Sequence, residues 1–447
     1  MKKDWKDIQR TIQPTRIIPL GFLAVILLGT GLLMLPMASA EEPLSFFDAF
    51  FEATSATCVT GLIVVDTATR FTFFGQLVLL LLIQLGGLGF MTVATFFFVA
   101  MGKKISLKER MTMAESLGEN KLQGIISLAL HVLKVTAIVE GTGAILLSLR
   151  FIPQFGLANG LWRAVFTSIS AFCNAGFDLM GNYTSLTAYV ADPLVCLTVC
   201  SLILIGGFGF GVILDILDFK RKRQYRIQTK VVMWVSLVLV VVPSIAFYFL
   251  EYNNTMAGMN FGTRVLASLF QSVTCRTAGF NTVDQLALRS PSKLLSIVLM
   301  FIGGAPAGTA GGIKLTTVAV IFFSARSLLS GKDRAEAFER WISKTTVIKA
   351  CSIFFLAINA LLFGVFLVSV LESESLGFIN QLYELTSAIA TVGLSVGVSG
   401  TCSIASRAVI CALMFTGRIG ILTLTLAIGG KKEKPYLRYP EADIMVG

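Results

Sequence analysis

The sequence has 447 residues, of which 55% are hydrophobic and 14% are charged, and its mean hydropathy is +0.79. A soluble protein needs a larger polar surface than this composition supplies, so most of the chain must have a lipid bilayer as its solvent. The formal net charge of +11 is not gathered on a soluble domain, which argues against nucleic-acid binding.

Basic residues concentrate in five short polar segments along the chain. These segments are Met1–Arg16, Lys103–Lys121, Lys220–Lys230, Arg326–Lys349 and Lys431–Arg438. The positive-inside rule places them in the cytoplasm. We therefore predict a multi-pass protein of the plasma membrane with both termini cytoplasmic, in which Ile17–Met37 is an anchor rather than a signal peptide. The basic segments are interpreted either as docking sites for an acidic partner or anionic lipid, or as plain topogenic charge.

Four apolar excursions lie between the basic segments, and each contains two stretches long enough to span a bilayer. The first stretches are Ile17–Met37, Ile125–Leu149, Val231–Phe249 and Val347–Val370. The second stretches are Phe71–Met101, Leu194–Leu214, Lys293–Phe323 and Ile404–Ile428. This pattern predicts an all-α membrane protein with four helix–pore loop–helix repeats around a pseudo-fourfold pore.

The repeat boundaries follow from the same pattern. We place the repeats at 17–101, 125–215, 231–325 and 347–430. The cytoplasmic parts are the N-terminus 1–16, the linkers 102–124, 216–230 and 326–346, and the C-terminal tail 431–447. All four repeats are predicted to begin and end inside the cell. A solute transporter built from inverted repeats would have two halves of opposite orientation, so this pattern argues against that class of transporter.

A short, semi-polar hairpin lies between the two helices of each repeat. Each hairpin runs from an aromatic residue through a hydroxyl-rich stretch to a glycine, and the third is one residue shorter than the others. The four hairpins are Phe51 to Gly61, Phe166 to Gly176, Phe270 to Gly279 and Tyr383 to Gly393. A second glycine motif follows each hairpin at a similar distance, beginning at Gly86, Gly206, Gly303 and Gly417. Two motifs that recur four times in the same order indicate internal repetition.

The end of each hairpin is the candidate ion filter. Glycine permits backbone angles that a side chain would forbid, so successive carbonyl oxygens can point at a common axis. Four such loops would form an oxygen cage that replaces the hydration shell of potassium, and the C-terminal ends of the short helices would favour a cation there. The predicted filter residues are Val59, Thr60, Gly61, Asn174, Ala175, Gly176, Thr277, Ala278, Gly279, Thr391, Val392 and Gly393.

A glycine-rich segment, Gly303–Lys314, interrupts the second helix of the third repeat. Each glycine costs ~1 kcal/mol and each proline ~3 kcal/mol in a helix relative to alanine, so the segment is predicted to be a loop at membrane depth. It is not a phosphate-binding loop, because Ile313 separates Gly312 from Lys314 where that motif needs Gly-Lys.

These motifs, with Thr274-Cys-Arg-Thr-Ala-Gly-Phe280 in the third hairpin, resemble those of the Trk/Ktr/HKT potassium transporters, and most of all their KtrB-type membrane subunits. The resemblance extends over 17–430. It implies potassium uptake by a homodimer with a pore in each subunit, and stimulation by sodium. It also implies a cytosolic KtrA-type ring of subunits that bind the regulatory nucleotides ATP and ADP. The alternative function is ion-coupled transport of another monovalent cation such as sodium.

The resemblance also implies that the glycine-rich segment is an intramembrane gate below the filter. The predicted gate residues are Gly303, Gly304, Ala305, Pro306, Ala307, Gly308, Thr309, Ala310, Gly311, Gly312, Lys314 and Arg418. Arg418 lies within an apolar helix, where a charge is costly and therefore a candidate functional residue. We expect it to donate hydrogen bonds to carbonyls of the loop and to retard cations, with Lys314 holding the same loop.

Few other ionisable residues lie within the apolar stretches. Arg276 in the third hairpin is expected to brace the loop against Glu52 or Glu384. His131, Lys134 and Glu140 are interpreted as snorkelling or paired residues near the cytoplasmic side rather than as a proton relay. The eight cysteines form no metal-ligand pattern and are interpreted as packing residues. We predict that the protein is not an enzyme, since no nucleophile–base pair or metal cluster is visible in the sequence.

Overall fold

Helices make up almost all of the regular structure in this computed structural model, which describes residues 14–89, 92–93, 99, 101, 109–111, 113, 124–219, 224–332, 334–372 and 376–428. The predicted N-terminal segment 1–16 and the linker 102–124 lie largely outside the described residues. The predicted tail 431–447 lies wholly outside them.

The described helices follow the predicted fourfold repetition in chain order. Repeat 1 comprises α1 (Pro14–Leu33), α2 (Phe46–Cys58), the short α3 (Thr67–Arg70) and α4 (Phe73–Leu88). Repeat 2 comprises α5 (Ile125–Phe155), α6 (Leu157–Cys173), α7 (Pro193–Gly207) and α8 (Phe210–Leu217). Repeat 3 comprises α9 (Ile227–Leu250), α10 (Phe261–Thr274), α11 (Ser290–Phe301) and α12 (Leu315–Leu329). Repeat 4 comprises α13 (Lys344–Leu371), α14 (Phe378–Ile389), the short α15 (Val398–Thr401), α16 (Ile404–Ile419) and α17 (Ile421–Ile428).

Short elements join these helices. Single 3₁₀ turns occur at Pro36–Ala38 and Thr187–Tyr189. Between repeats 3 and 4, the two-residue strands β1 (Glu336–Ala337) and β2 (Arg340–Trp341) pair antiparallel, with Glu336 opposite Trp341. Within the described ranges, the fold is therefore all-α apart from this small hairpin in the predicted cytoplasmic linker.

The first helix of each repeat is long and apolar enough to cross a membrane. Within the described residues, α1, α5, α9 and α13 meet this criterion. Their outer faces carry large apolar side chains that remain exposed, such as Leu28, Ile145, Phe249 and Phe363. A surface of this kind is stable in hydrocarbon rather than in water, so the predicted multi-pass membrane architecture is confirmed.

The second helices are not the continuous spans that the sequence predicted. The helix α4 ends at Gly89, α7 and α8 meet at an angle of 100° across Gly209, and α16 ends at Gly420. These three glycines have φ values of 78°, 82° and 89°. A side chain disfavours such angles, so glycine permits the break. In repeat 3 the longer predicted loop separates α11 from α12.

A glycine three residues before each break lets the second helix touch the hairpin helix. A Cβ atom on Gly86, Gly206 or Gly417 would collide with the carbonyl oxygen four residues before the filter glycine of the same repeat. The oxygens concerned belong to Thr57, Phe172 and Ile389. The recurring second motif therefore has a packing role in repeats 1, 2 and 4. Repeat 3 differs, because Gly303 faces the Gly311 carbonyl of its own loop.

The hydrophobic core surrounds the four hairpin helices. The aromatic residue that begins each hairpin motif is fully buried, with an exposed fraction of 0% for Phe51, Phe166, Phe270 and Tyr383. Burying such a side chain contributes roughly 1.5–3 kcal/mol. The hairpins are thus the interior of the fold, and the long first helices lie outside them.

Candidate ion filter and gate

The four loops that end the hairpins share one backbone conformation. Each has a left-handed residue two positions before its glycine: φ is 56° at Val59, 59° at Asn174, 68° at Thr277 and 49° at Thr391. The glycines also have positive φ values, of 92°, 70°, 82° and 92° in chain order, whereas the residue between them does not. This alternation turns successive carbonyls toward the same side of the chain. A left-handed non-glycine residue costs of order 1–3 kcal/mol, so the surroundings must hold each loop in place.

The four glycines form a closed ring. A Cβ atom on each glycine would collide with backbone of the next repeat, and the order of contacts runs from repeat 1 to 2, 3, 4 and back to 1. The colliding partners are the Ala175 oxygen for Gly61, the Gly279 Cα at 2.8 Å for Gly176, the Val392 oxygen at 2.6 Å for Gly279, and the Thr60 oxygen for Gly393. All predicted filter residues are buried at this ring. The structure therefore brings together the residues that the sequence motif singled out.

The ends of the hairpin helices hold the loops. In repeat 1, Ser55 accepts hydrogen bonds from Thr60 N at 2.8 Å through its carbonyl and from Gly61 N at 3.1 Å through its hydroxyl. Ser387 makes the same pair of contacts in repeat 4, at 2.8 and 3.0 Å. In repeat 3, which is one residue shorter, Ala278 N bonds the Thr274 carbonyl at 3.0 Å, four residues back instead of five.

Two buried acids support the segments that leave the filter. Glu52 accepts hydrogen bonds from Val64 N at 2.8 Å and Val65 N at 3.2 Å. Glu384, at the equivalent position of repeat 4, accepts from Val396 N at 2.9 Å and Ser399 N at 3.0 Å. Sequence reasoning missed this role, although an aromatic–glutamate pair occurs at the same place in both hairpins.

The predicted pairing of Arg276 with Glu52 or Glu384 is wrong. Arg276 is 4% exposed and donates to Ser236 Oγ of α9 at 3.0 Å. Its Nε and Nη1 atoms have no hydrogen-bond partner among the described residues. The two acids are already bonded to the exit segments, so Arg276 braces the third loop against the first helix of its own repeat instead.

Cavities lie on both sides of the ring. One cavity, of about 320 Å³, is lined by all four filter glycines and by the carboxylates Asp178 and Asp284, and we call it the outer cavity after the predicted orientation of the chain. Burial raises the pKa of Asp178 to about 6. The inner cavity, of about 180 Å³, is lined by Lys314, Arg418 and Gly308 among others. Acidic side chains therefore line the cavity on one side of the ring, and basic side chains line the cavity on the other.

The glycine-rich segment of repeat 3 is tied to the broken helix of repeat 2. Ala305 N donates to the Gly207 carbonyl at 2.9 Å, and Phe210 N donates to the Ala307 carbonyl at 2.8 Å. The buried Thr309 donates from Oγ1 to the Phe172 carbonyl at 2.9 Å. The first two bonds use a carbonyl and an amide that the helix break leaves free, and the third uses a carbonyl at the end of the hairpin helix α6.

Arg418 fastens the loop from the opposite side. Its Nη1 donates to the Thr309 carbonyl, and its Nη2 donates to the carbonyls of Gly86 at 2.5 Å and Gly87 at 3.1 Å. The bond to the loop was predicted, whereas the bonds to repeat 1 were not. Lys314 Nζ donates to the Ala310 carbonyl of the same loop at 2.8 Å. Neither side chain forms an ion pair with a carboxylate of the described residues, and both line the inner cavity.

Glu140 does not lie near the cytoplasmic end of α5 as predicted. His131 and Lys134 are exposed, but Glu140 is 8% exposed at the middle of the helix.

Seven of the eight cysteines are buried, consistent with packing roles, and Cys351 is exposed. Among the described residues no group of three His, Cys, Asp or Glu side chains is placed to hold a metal ion, so the oxygen ring is the candidate cation site.

Known proteins share both the sequence and the fold of this chain. Residues 2–435 match the family model TrkH, described as a cation transport protein. The chain is 40% identical to the Ktr system potassium uptake protein B of Bacillus subtilis (strain 168), over 97% of each protein. It is 37% identical to the potassium/sodium uptake protein NtpJ of Enterococcus hirae, over 99% of each. The crystal structure of the potassium transporter TrkH from Vibrio parahaemolyticus shares the fold, with a TM-score of 0.71 at 18% identity over 92% of this chain and 85% of that one.

Proposed function

Because the chain belongs to the TrkH family of cation transport proteins, we propose that it forms the potassium pathway of a multi-component Ktr-type uptake system in the cell membrane. The observation that carries the proposal is the ring of four filter glycines, each against the backbone of the next repeat. One chain then supplies one complete pore.

The filter would select by carbonyl coordination. Three consecutive residues in each repeat present backbone oxygens toward the axis, and these replace the water around a potassium ion. The hairpin helices end at the ring, so the partial negative charge of their C-termini adds to the attraction. Asp178 and Asp284 at the outer cavity raise the local concentration of cations before entry.

The glycine-rich segment and Arg418 would form the gate. The guanidinium group joins repeats 1, 3 and 4 through its three carbonyl contacts, and its charge opposes a cation that leaves the filter. Conduction requires the loop and Arg418 to move aside together, because Arg418 bonds the loop directly. The glycines in the segment permit the change in backbone angles that such a movement needs.

The nucleotides that regulate uptake would bind to another chain of the system. The sequence has no phosphate-binding loop, and relatives named for the Ktr system indicate more than one component. We propose a homodimer of this chain on a cytosolic KtrA-type ring that binds ATP and ADP, with sodium as a stimulating ion. Uptake of sodium itself is the second candidate, favoured by the potassium/sodium name of the Enterococcus relative.

Growth of a bacterium that lacks its own potassium uptake tests the proposal. Expression of the chain with its cognate cytosolic subunit is expected to restore growth at low potassium, and adding sodium is expected to increase the rate. Failure to restore growth while the protein is present in the membrane would refute potassium uptake. Uptake of sodium by the expressing cells, without growth at low potassium, would support the second candidate.

A further inference from the structure

A buried carboxyl group lies behind the filter loop of repeat 2. Glu140, at the middle of the membrane-spanning helix α5, accepts hydrogen bonds from Gln84 Nε2 at 3.1 Å on both of its oxygens. Cys173 completes the group, with its Sγ 3.3 Å from Gln84 Oε1 and 3.9 Å from Glu140 Oε1. In the part of the chain that the structure describes, no Lys or Arg forms an ion pair with Glu140. An acid kept at this depth without a cation is costly, so a function is expected of it.

The cluster of Gln84, Glu140 and Cys173 is covalently continuous with the filter, because Cys173 immediately precedes a filter residue. Cys173 is the last residue of the hairpin helix α6 and is followed by Asn174, the left-handed residue that begins the filter segment of repeat 2. The Glu140 backbone also accepts from Ser168 Oγ in α6 at 2.7 Å. The end of α6 is thus fixed by α5 and by α4, which carries Gln84.

The same cluster touches the inner gate from its other side. A Cβ atom on Gly87 would lie 2.7 Å from Cys173 Sγ, so the thiol packs against the backbone of α4. The Gly87 carbonyl accepts a hydrogen bond from Arg418 at 3.1 Å. The end of α4 therefore lies between Arg418 of the proposed gate and Cys173, the residue that precedes the filter.

We propose that Glu140 is a positioning residue that sets the ion selectivity of the filter. It acts through Gln84 and Cys173, by holding the strained Asn174–Gly176 segment at the spacing that suits potassium. A loop released from this anchor relaxes toward less strained backbone angles, and its carbonyls then discriminate less between potassium and sodium. The inference rests on the proposed potassium pathway and names a residue that adjusts it.

The ratio of potassium to sodium transport is the quantity to measure, in the full chain with its cytosolic partner. Gln84→Leu and Glu140→Leu are expected to lower this ratio about fivefold, the effect of losing one hydrogen bond on a binding equilibrium. Glu140→Gln keeps the shape and an oxygen that accepts from Gln84, so its ratio is expected to stay near the wild-type value. The exchange Gln84→Glu with Glu140→Gln forms the bond in reverse, so its ratio is also expected to stay near the wild-type value.

Gln76→Leu is the matched control. Gln76 is a glutamine of the same helix, and it also bonds the hairpin helix of repeat 2, accepting from Trp162 Nε1 at 2.8 Å, but far from the filter. This variant is expected to lower thermal stability without changing the ratio. Unchanged ratios in Gln84→Leu and Glu140→Leu, or an equal change in Gln76→Leu, would overturn the inference while leaving potassium uptake intact. A wild-type chain that carries no potassium would instead refute the proposed function and, with it, the inference.

Discussion

The filter glycines differ from ordinary helix-packing glycines in both conformation and surroundings. Gly61 and Gly393 have φ values of 92° and face backbone oxygens of a neighbouring repeat. Gly400 also lines the outer cavity, but it lies in a helix and a Cβ atom there would meet nothing within 4 Å. Position in the ring, rather than residue type, therefore determines the cost of a side chain.

A serine at a filter glycine is expected to abolish most potassium transport. In Gly393→Ser, the new Cβ atom collides with the Thr60 oxygen and the residue keeps a disfavoured φ value. A penalty of ~1–3 kcal/mol at the filter corresponds to a loss of about fivefold to more than a hundredfold in the transport rate. Gly400→Ser is the control and is expected to transport normally. Equal transport by the two variants, measured as rubidium uptake into cells, would contradict a filter at the ring.

Arg418 is a charge whose removal is expected to increase flux. A unit charge ~8 Å from an ion at an effective dielectric constant of about 20 opposes it by ~2 kcal/mol. Arg418→Ala is therefore expected to raise the potassium flux about thirtyfold and to weaken its response to nucleotide. Arg407→Ala in the same helix is the control, because Arg407 pairs with Asp48 at 3.0 Å away from the inner cavity. An Arg418→Ala protein with wild-type flux and nucleotide response would show that the charge has only a structural role.

The second helices show how one motif performs two tasks. In repeats 1, 2 and 4, the first glycine of the motif lets the helix approach the hairpin, and a glycine three residues later ends or bends the helix. The free carbonyls at the bend of repeat 2 then bind the loop of repeat 3. The gate segment is thus held by a neighbouring repeat, and its stability depends on the helix break in that repeat.

Neighbouring glycines of α7 are expected to differ in their tolerance of alanine. A Cβ atom on Gly206 collides with the Phe172 carbonyl, whereas the nearest atom to a Cβ on Gly207 is 3.6 Å away. Gly206→Ala is therefore expected to destabilise the protein by ~1–3 kcal/mol, as overpacking does. Gly207→Ala is expected to change stability by less than ~1 kcal/mol, in the favourable direction. Thermal unfolding of the two variants in detergent checks this order, and the reverse order would contradict the packing described for α7.

Repeated features of the helices could be predicted from the sequence, whereas the departures from repetition could not. Hydropathy identifies long apolar stretches, but apolar residues continue on both sides of Gly209, so the bend there leaves no hydropathy signal. The third glycine of the Gly206-Gly207-Phe-Gly209 run was the available signal. The contact of Arg276 with Ser236 joins residues 40 positions apart, and no local pattern encodes it.

The whole molecule is a fourfold arrangement with control placed where the repeats differ. Equivalent loops close the ring, so each repeat contributes a similar share of the oxygens around the axis. The gate segment comes from repeat 3, Arg418 from repeat 4, and the buried acid Glu140 from repeat 2. Under the proposed function, the symmetric loops bind the ion, and the unique contacts between repeats set selectivity and gating.

Flux through the purified chain tests the single-pore account most directly. The chain and its cytosolic partner are placed in lipid vesicles, and uptake of rubidium as a potassium analogue is followed with potassium or sodium as competitor. The account predicts uptake that potassium suppresses and sodium does not, and its loss in Gly279→Ser, where a Cβ atom would lie 2.6 Å from the Val392 oxygen. Absence of uptake by the wild-type chain, or equal uptake by Gly279→Ser, would contradict it.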